Sequence, residues 1–218
     1  MEGLFCCFKS YNWLMFQNKN FFVIYKLSFG LLGFSAIVTE IVVLMERGVF
    51  NLANFLSYFT IESNTLVVVT LLLSAVAVRG KSNKLDILRG AVTVYILIVG
   101  IGFSLLLAGI EGLVLTAVPW DNTVLHYIIP VAVLIDYLID RPKRKLPFGK
   151  SLIWLLFPVI YVAYSLTRGA LTGWYPYPFL NPDTKGYGAV AFTVTSLLLL
   201  GVVLTWLATR VPDRTGKK

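Results

Sequence analysis

Few side chains in this sequence can do chemistry, and most of them fall near the ends of apolar stretches. His126 is the only histidine in 218 residues, and a neutral imidazole accepts and returns a proton near pH 7. Glu40, Thr60, Glu62, Asn64 and Arg168 are the other conspicuous polar groups, together with Tyr175 and Tyr177 of Trp174-Tyr-Pro-Tyr-Pro-Phe-Leu180. Carboxylates with a histidine can relay protons, and a hydroxyl beside a base can attack a carbonyl carbon. A threonine inside a helix more often bonds its own i−4 carbonyl. Residue types alone therefore leave transport, hydrolysis and plain structural polarity open. Cys6 and Cys7 are the only cysteines; adjacent in sequence, they read as free reduced thiols. With one histidine they fall short of the four Cys/His ligands of a structural zinc and of a bis-histidine haem, so no such cofactor and no metal among the site residues is expected, while the count leaves a carboxylate-only ion site open.

The elements that must position these groups follow from composition. The chain is 57% hydrophobic and only 14% charged, with a mean hydropathy of +0.78. Soluble domains carry about 25% charged residues. A bundle of membrane spans, each of about 20 residues, fits better than a soluble enzyme. Six apolar stretches can be marked, at Leu27–Met45, Ser57–Val78, Ala91–Gly109, Asn122–Ile139, Ser151–Thr167 and Tyr187–Thr209. Of the nineteen Lys and Arg, all but Arg47, Arg168 and Lys185 fall on the side of the two termini. Cytoplasmic segments attract such residues. The expectation is an all-α, six-transmembrane-helix bundle, one integral membrane domain over 1–218, with both termini cytoplasmic. The net charge of +8 then reports topology, and nucleic acid is not expected as a partner.

With that topology, Glu40, Thr60, Glu62, Asn64, His126 and Arg168 lie at one depth near the external face, beneath the Trp174–Leu180 loop. Ser57, Thr60 and Asn64 form one helical stripe; Asn122, His126 and Pro130 form a second; Tyr161, Tyr164, Ser165 and Arg168 form a third. Ionisable groups at membrane depth usually face the bundle interior or a wet cavity, so an internal polar chamber opening outward is expected. Arg168 and Glu40 can also simply reach the interface, and Asp136 is expected to pair with nearby Lys143 or Arg144. Trp13 and Tyr25 on one side, and Trp120, Trp174, Tyr175 and Tyr177 on the other, fit interfacial aromatic belts. Gly100, Ser104 and Ala108 make a small-residue stripe suited to close helix packing.

Phe59-Thr-Ile61, the lone His126 and Trp174-Tyr-Pro-Tyr-Pro-Phe-Leu180, in this order and spacing, resemble the androgen-induced / androgen-dependent TFPI-regulating membrane protein family. The longer run Arg168-Gly-Ala-Leu-Thr-Gly-Trp-Tyr-Pro-Tyr-Pro-Phe-Leu180 is more similar still to a prokaryotic branch of it. The resemblance spans most of the second to sixth apolar stretches. Animal members are multispan threonine hydrolases of fatty acid esters, so the resemblance implies Thr60 as nucleophile, His126 as base, and a lipid ester as substrate among membrane lipids. Packing of the second and fourth helices would then bring the pair within hydrogen-bond reach. Asn64, Arg168, Tyr175 or Tyr177 would receive the oxyanion, and Glu62 or Glu40 would orient the imidazole. The alternatives are a small transporter relaying protons through Glu40, Glu62, His126 and Asp136, or a lipid-binding protein whose polar layer only stabilises the bundle.

Overall fold

In the computed structural model, which describes residues 19–77, 83–110, 116–143 and 146–211, six helices are long and apolar enough to cross a membrane. They are α1 (Lys19–Glu46), α2 (Phe59–Val76), α3 (Asn83–Leu106), α4 (Pro119–Ile139), α5 (Phe148–Thr172) and α6 (Tyr187–Arg210). No strand occurs among the described residues. Cys6, Cys7, Lys9 and Trp13 lie outside them, as do Arg79, Lys81, Arg144, Lys145, Arg214, Lys217 and Lys218.

Leu, Ile and Val on every side of these helices suit elements that face protein on one flank and lipid on the other. α2 and α3 are the most enclosed, and α1 and α6 the least. α1 packs closely on α2 because Gly30 and Gly33 lack side chains; a Cβ on either would lie 3.1 Å from Leu72 or Val68. α3 lies against α2, α4 and α6. In the expected stripe on α3 only Gly100 brings a neighbour close, the Pro130 ring of α4. Ser104 and Ala108 are exposed, because α4 meets α3 at Gly100 and does not follow it to its end.

α1 and α3 begin at Lys19 and Asn83, well before the expected Leu27 and Ala91. Lys26, Asp86, Arg89 and Asp140, which flank the expected apolar stretches, are buried, as is Asp136 within the fourth. Arg89 reaches Asp136 at 2.8 Å, Asp86 at 3.4 Å and Asp140 at 3.5 Å. Lys26 pairs with Asp140 at 3.0 Å and also with Asp136. Asp136 thus finds its partners on α1 and α3, where Lys143 and Arg144 had been expected. Asp86 instead receives the Lys143 backbone N–H at 2.8 Å. Mutual neutralisation lets these helices run past their charges.

At the other end of the bundle the α1–α2, α3–α4 and α5–α6 connections come together. Glu40 accepts the Ala117 N–H at 2.6 Å, Arg168 donates to Asn54 at 2.7 Å, and Tyr177 meets Thr60.

Candidate active site

Thr60 stands in the first turn of α2, which begins where Tyr58 is extended (φ −84°, ψ 121°). The Tyr58 carbonyl accepts the N–H groups of Ile61 and Glu62 at 3.0 and 3.1 Å. That position frees the threonine hydroxyl. Thr65, Thr93, Thr123 and Thr172 return theirs to the carbonyl four residues earlier, the usual habit in helices. Thr60 Oγ1 instead lies 3.3 Å from His126 Nε2 and 3.2 Å from the Tyr177 hydroxyl. The segment before it is clamped by the α5 stripe. Tyr161 donates to the Ser57 carbonyl at 2.9 Å, Tyr164 meets the Ser57 hydroxyl at 2.8 Å, and Arg168 holds Asn54 while lying 4.5 Å over the Trp174 ring.

His126 sits in a π-helical turn, Val124–Ile128, within α4. Pro130 has no N–H to give to the His126 carbonyl, so the ordinary i−4 bond is absent. The chain widens, and Ile129 N–H reaches the Val124 carbonyl five residues back. Such single wide turns often mark functional positions. Gly100 leaves room for the bulge: a Cβ there would lie 3.0 Å from Pro130 and 3.2 Å from the His126 carbonyl. His126 Nδ1 lies 3.0 Å from the Asn122 carbonyl. A carbonyl can only accept, so Nδ1 carries the hydrogen and Nε2 presents its lone pair to Thr60. Phe103 stacks on the imidazole with centroids 4.0 Å apart.

Tyr177 comes from the connection after α5. Gly173, at φ 71°, ends α5 in the left-handed region, and Gly169 admits the Tyr175 ring so closely that a Cβ there would overlap it. Tyr175 therefore seats the loop, and Tyr177, stacked on Phe179, is carried inward. Its oxygen accepts the Thr60 backbone N–H at 3.2 Å; when the Thr60 hydroxyl donates to Nε2, the phenol hydrogen is free to go to Oγ1. Burial pushes the Tyr177 phenol up to about 12, so it stays a neutral donor. The belt expectation placed Tyr177 at an interface; it is interior, while Trp120 is exposed.

The remaining expected groups divide. Asn64 donates to the Thr60 carbonyl at 2.9 Å and the Leu125 carbonyl at 3.3 Å. Its amide thus ties α2 to α4 one turn below the hydroxyl. Glu62 is half-buried, with Oε2 lacking a hydrogen-bond partner. Glu40 is buried against Ala117. The group on His126 Nδ1 is the Asn122 carbonyl, where a carboxylate had been expected. Asp121 went unremarked in the sequence because Pro-Trp-Asp reads as an ordinary helix start. It is fully buried, no N–H or hydroxyl reaches either oxygen, and its neighbour is the Glu40 carboxyl. No group of three His, Cys, Asp or Glu suited to a metal occurs among the described residues.

Two cavities meet at Thr60 and Tyr177. One, of about 330 Å³, has a mixed lining, with Glu40, Arg47, Asn51, Asn54 and His126 among apolar residues such as Phe55 and Leu125. The second, a slot of about 70 Å³, is apolar and lies among α3, α5 and α6. The arrangement offers a hydroxyl, a base in the required tautomer, and a neutral donor, with water-sized space on one side and an apolar slot on the other. No protein-family model, curated protein or solved structure matches the chain.

Proposed function

We propose that this chain is an integral membrane hydrolase that cleaves a lipid (fatty acyl) ester, with Thr60 as nucleophile and His126 as general base. The observation that carries this reading is the 3.3 Å contact between Thr60 Oγ1 and a His126 Nε2 whose lone pair faces it. Thr60 Oγ attacks the ester carbonyl carbon as its proton passes to Nε2. The tetrahedral oxyanion takes the Tyr177 O–H, and donors fixed in place before the reaction do more than any other group to stabilise that charge. Collapse breaks the carbon–oxygen bond to the alcohol, which leaves with the proton from Nε2. Water then attacks the acyl-threonine ester, giving its proton to Nε2, and the second collapse frees the fatty acid and restores Thr60.

The resemblance of Phe59-Thr-Ile61, His126 and the Trp174–Leu180 loop to the androgen-induced membrane protein family supports the same pair. The charge distribution supports a site that faces outward with both termini cytoplasmic; Lys26 and Arg89, being interior, do not contribute to that bias. A relay through Glu40, Glu62, His126 and Asp136 is the weaker reading, since the buried Ile129 and Val133 separate His126 from Asp136 on α4, and Asp136 is held by two cations.

Purified protein should hydrolyse a fatty acyl ester and take up a fluorophosphonate probe, and both activities should vanish in Thr60→Ala and His126→Ala. Labelling that persists in Thr60→Ala would remove Thr60 from the role. Proteoliposome flux that survives Thr60→Ala and is lost in Glu40→Gln would replace hydrolysis by transport.

A further inference from the structure

Thr60 and Tyr177 form a wall with two unlike sides. On one side lies the chamber with Arg47, Asn51, Asn54 and Glu40. On the other lies the slot, walled by apolar residues of α3, α5 and α6 such as Gly102, Phe103, Pro158, Val194 and Leu198. Three hydroxyls border the slot, those of Thr60, Tyr161 and Tyr177. Tyr161 donates its hydrogen to the Ser57 carbonyl, so the two that face an occupant are those of the wall. From Leu107 to Ile98 the slot follows α3 for about 14 Å, at 1.5 Å of rise per residue.

Given the hydrolase reading, on which this rests, the geometry points to one orientation and one class of substrate: a long-chain acyl ester of a polar alcohol, the carbons next to its carbonyl in the slot and its alcohol in the chamber. The acyl carbons beside the carbonyl meet only apolar side chains along the slot and gain dispersion contacts there. The reverse placement would strand polar groups of the alcohol among apolar side chains with no partner, at a cost that an acyl chain avoids. The ester carbonyl then rests against Oγ1 of Thr60 and the Tyr177 O–H, which border the slot. Gly102 lines the slot without a side chain. A Cβ there lies 3.6 Å from Leu197 Cδ2, an ordinary contact, so alanine fits and leucine fills the slot.

The test compares kcat/KM for p-nitrophenyl laurate and p-nitrophenyl acetate in wild type, Gly102→Ala and Gly102→Leu, all purified in detergent. Gly102→Leu should lower the laurate-to-acetate ratio about tenfold or more, within the range by which pocket volume discriminates chains, and Gly102→Ala should lower it less. A ratio unchanged in Gly102→Leu overturns the slot assignment. A diazirine-bearing fatty acid, photo-crosslinked to Thr60→Ala, reads the slot without turnover. Adducts on α3 and α6 that disappear with Gly102→Leu support the slot, and adducts elsewhere overturn it. Slot adducts in a protein that cleaves neither ester would overturn the hydrolase reading while leaving the acyl site in place.

Discussion

A hydroxyl gains from a nearby imidazole only when the nitrogen facing it is the one without a hydrogen. In this chain a backbone carbonyl, that of Asn122, makes the choice, and Tyr177 supplies the opposing donor. Tyr177→Phe is expected to keep the fold and to lower kcat by about 10²-fold, the usual loss for one oxyanion donor, with a smaller change in KM; steady-state rates on a soluble acyl ester check it. The rate should fall in acid, where protonation removes the acceptor on Nε2. An ordinary phenol ionises near pH 10, but Tyr177 is held to about 12. Its neutral donor form is therefore retained through the alkaline range, and the pH profile should show no loss near pH 10. A clear alkaline limb at that pH would remove Tyr177 from the role. His126 was legible as the single histidine of the sequence. Thr60 was not distinguishable by type from Thr65 or Thr93, and only its place in the first turn of α2, with no carbonyl claiming its hydroxyl, sets it apart.

Two elements hold these side chains in place by departing from regular form. The π turn of α4 exists because Pro130 withholds an N–H from His126. Pro130→Ala would return that donor, favour ordinary α-helical spacing and rotate the imidazole away from Thr60. A displacement of about 1 Å costs on the order of 10²-fold in rate, so activity should drop by about that much while the detergent melting temperature holds or rises. The loop that carries Tyr177 depends on Gly169 in the same way. In Gly169→Ala the new methyl would overlap the Tyr175 ring, lifting the loop; the expected result is lost ester cleavage and faster proteolysis between Gly173 and Leu180 in an otherwise folded protein. The Asn122–His126–Pro130 spacing was visible in the sequence, but as a regular stripe. That Pro130 turns it into a wide turn depends on Gly100 of another helix leaving the space.

Across the whole molecule, the polar groups lie in two layers, the site at one end and the Lys26, Asp86, Arg89, Asp136 and Asp140 network at the other, with apolar helix surface between. The network fastens α1, α3 and α4, so its integrity is a matter of stability. Lys26→Met leaves Asp136 and Asp140 to share Arg89, and breaking a buried pair from one side costs roughly 3–5 kcal/mol. Thermal unfolding in detergent should show a large fall for Lys26→Met and partial recovery in Lys26→Met with Asp140→Asn. Equal melting temperatures for the two variants would mean that the charges are not coupled.

The sequence by itself determined the six long apolar helices found among the described residues, because span length and helical backbone satisfaction are properties of local composition. It also marked the depth at which Thr60, His126 and Tyr177 converge. It missed the partners of Asp136 and gave no sign that α1 and α3 run on through Lys26 and Arg89, since a charge reads as a boundary until an opposite charge from a distant helix neutralises it. Only the tertiary structure decided that Thr60 and His126 face each other, that Asn122 sets the tautomer, and that Tyr177 turns inward. Those outcomes depend on helix rotation and on close approaches at Gly100 and Gly169, which are relations between segments far apart in the chain.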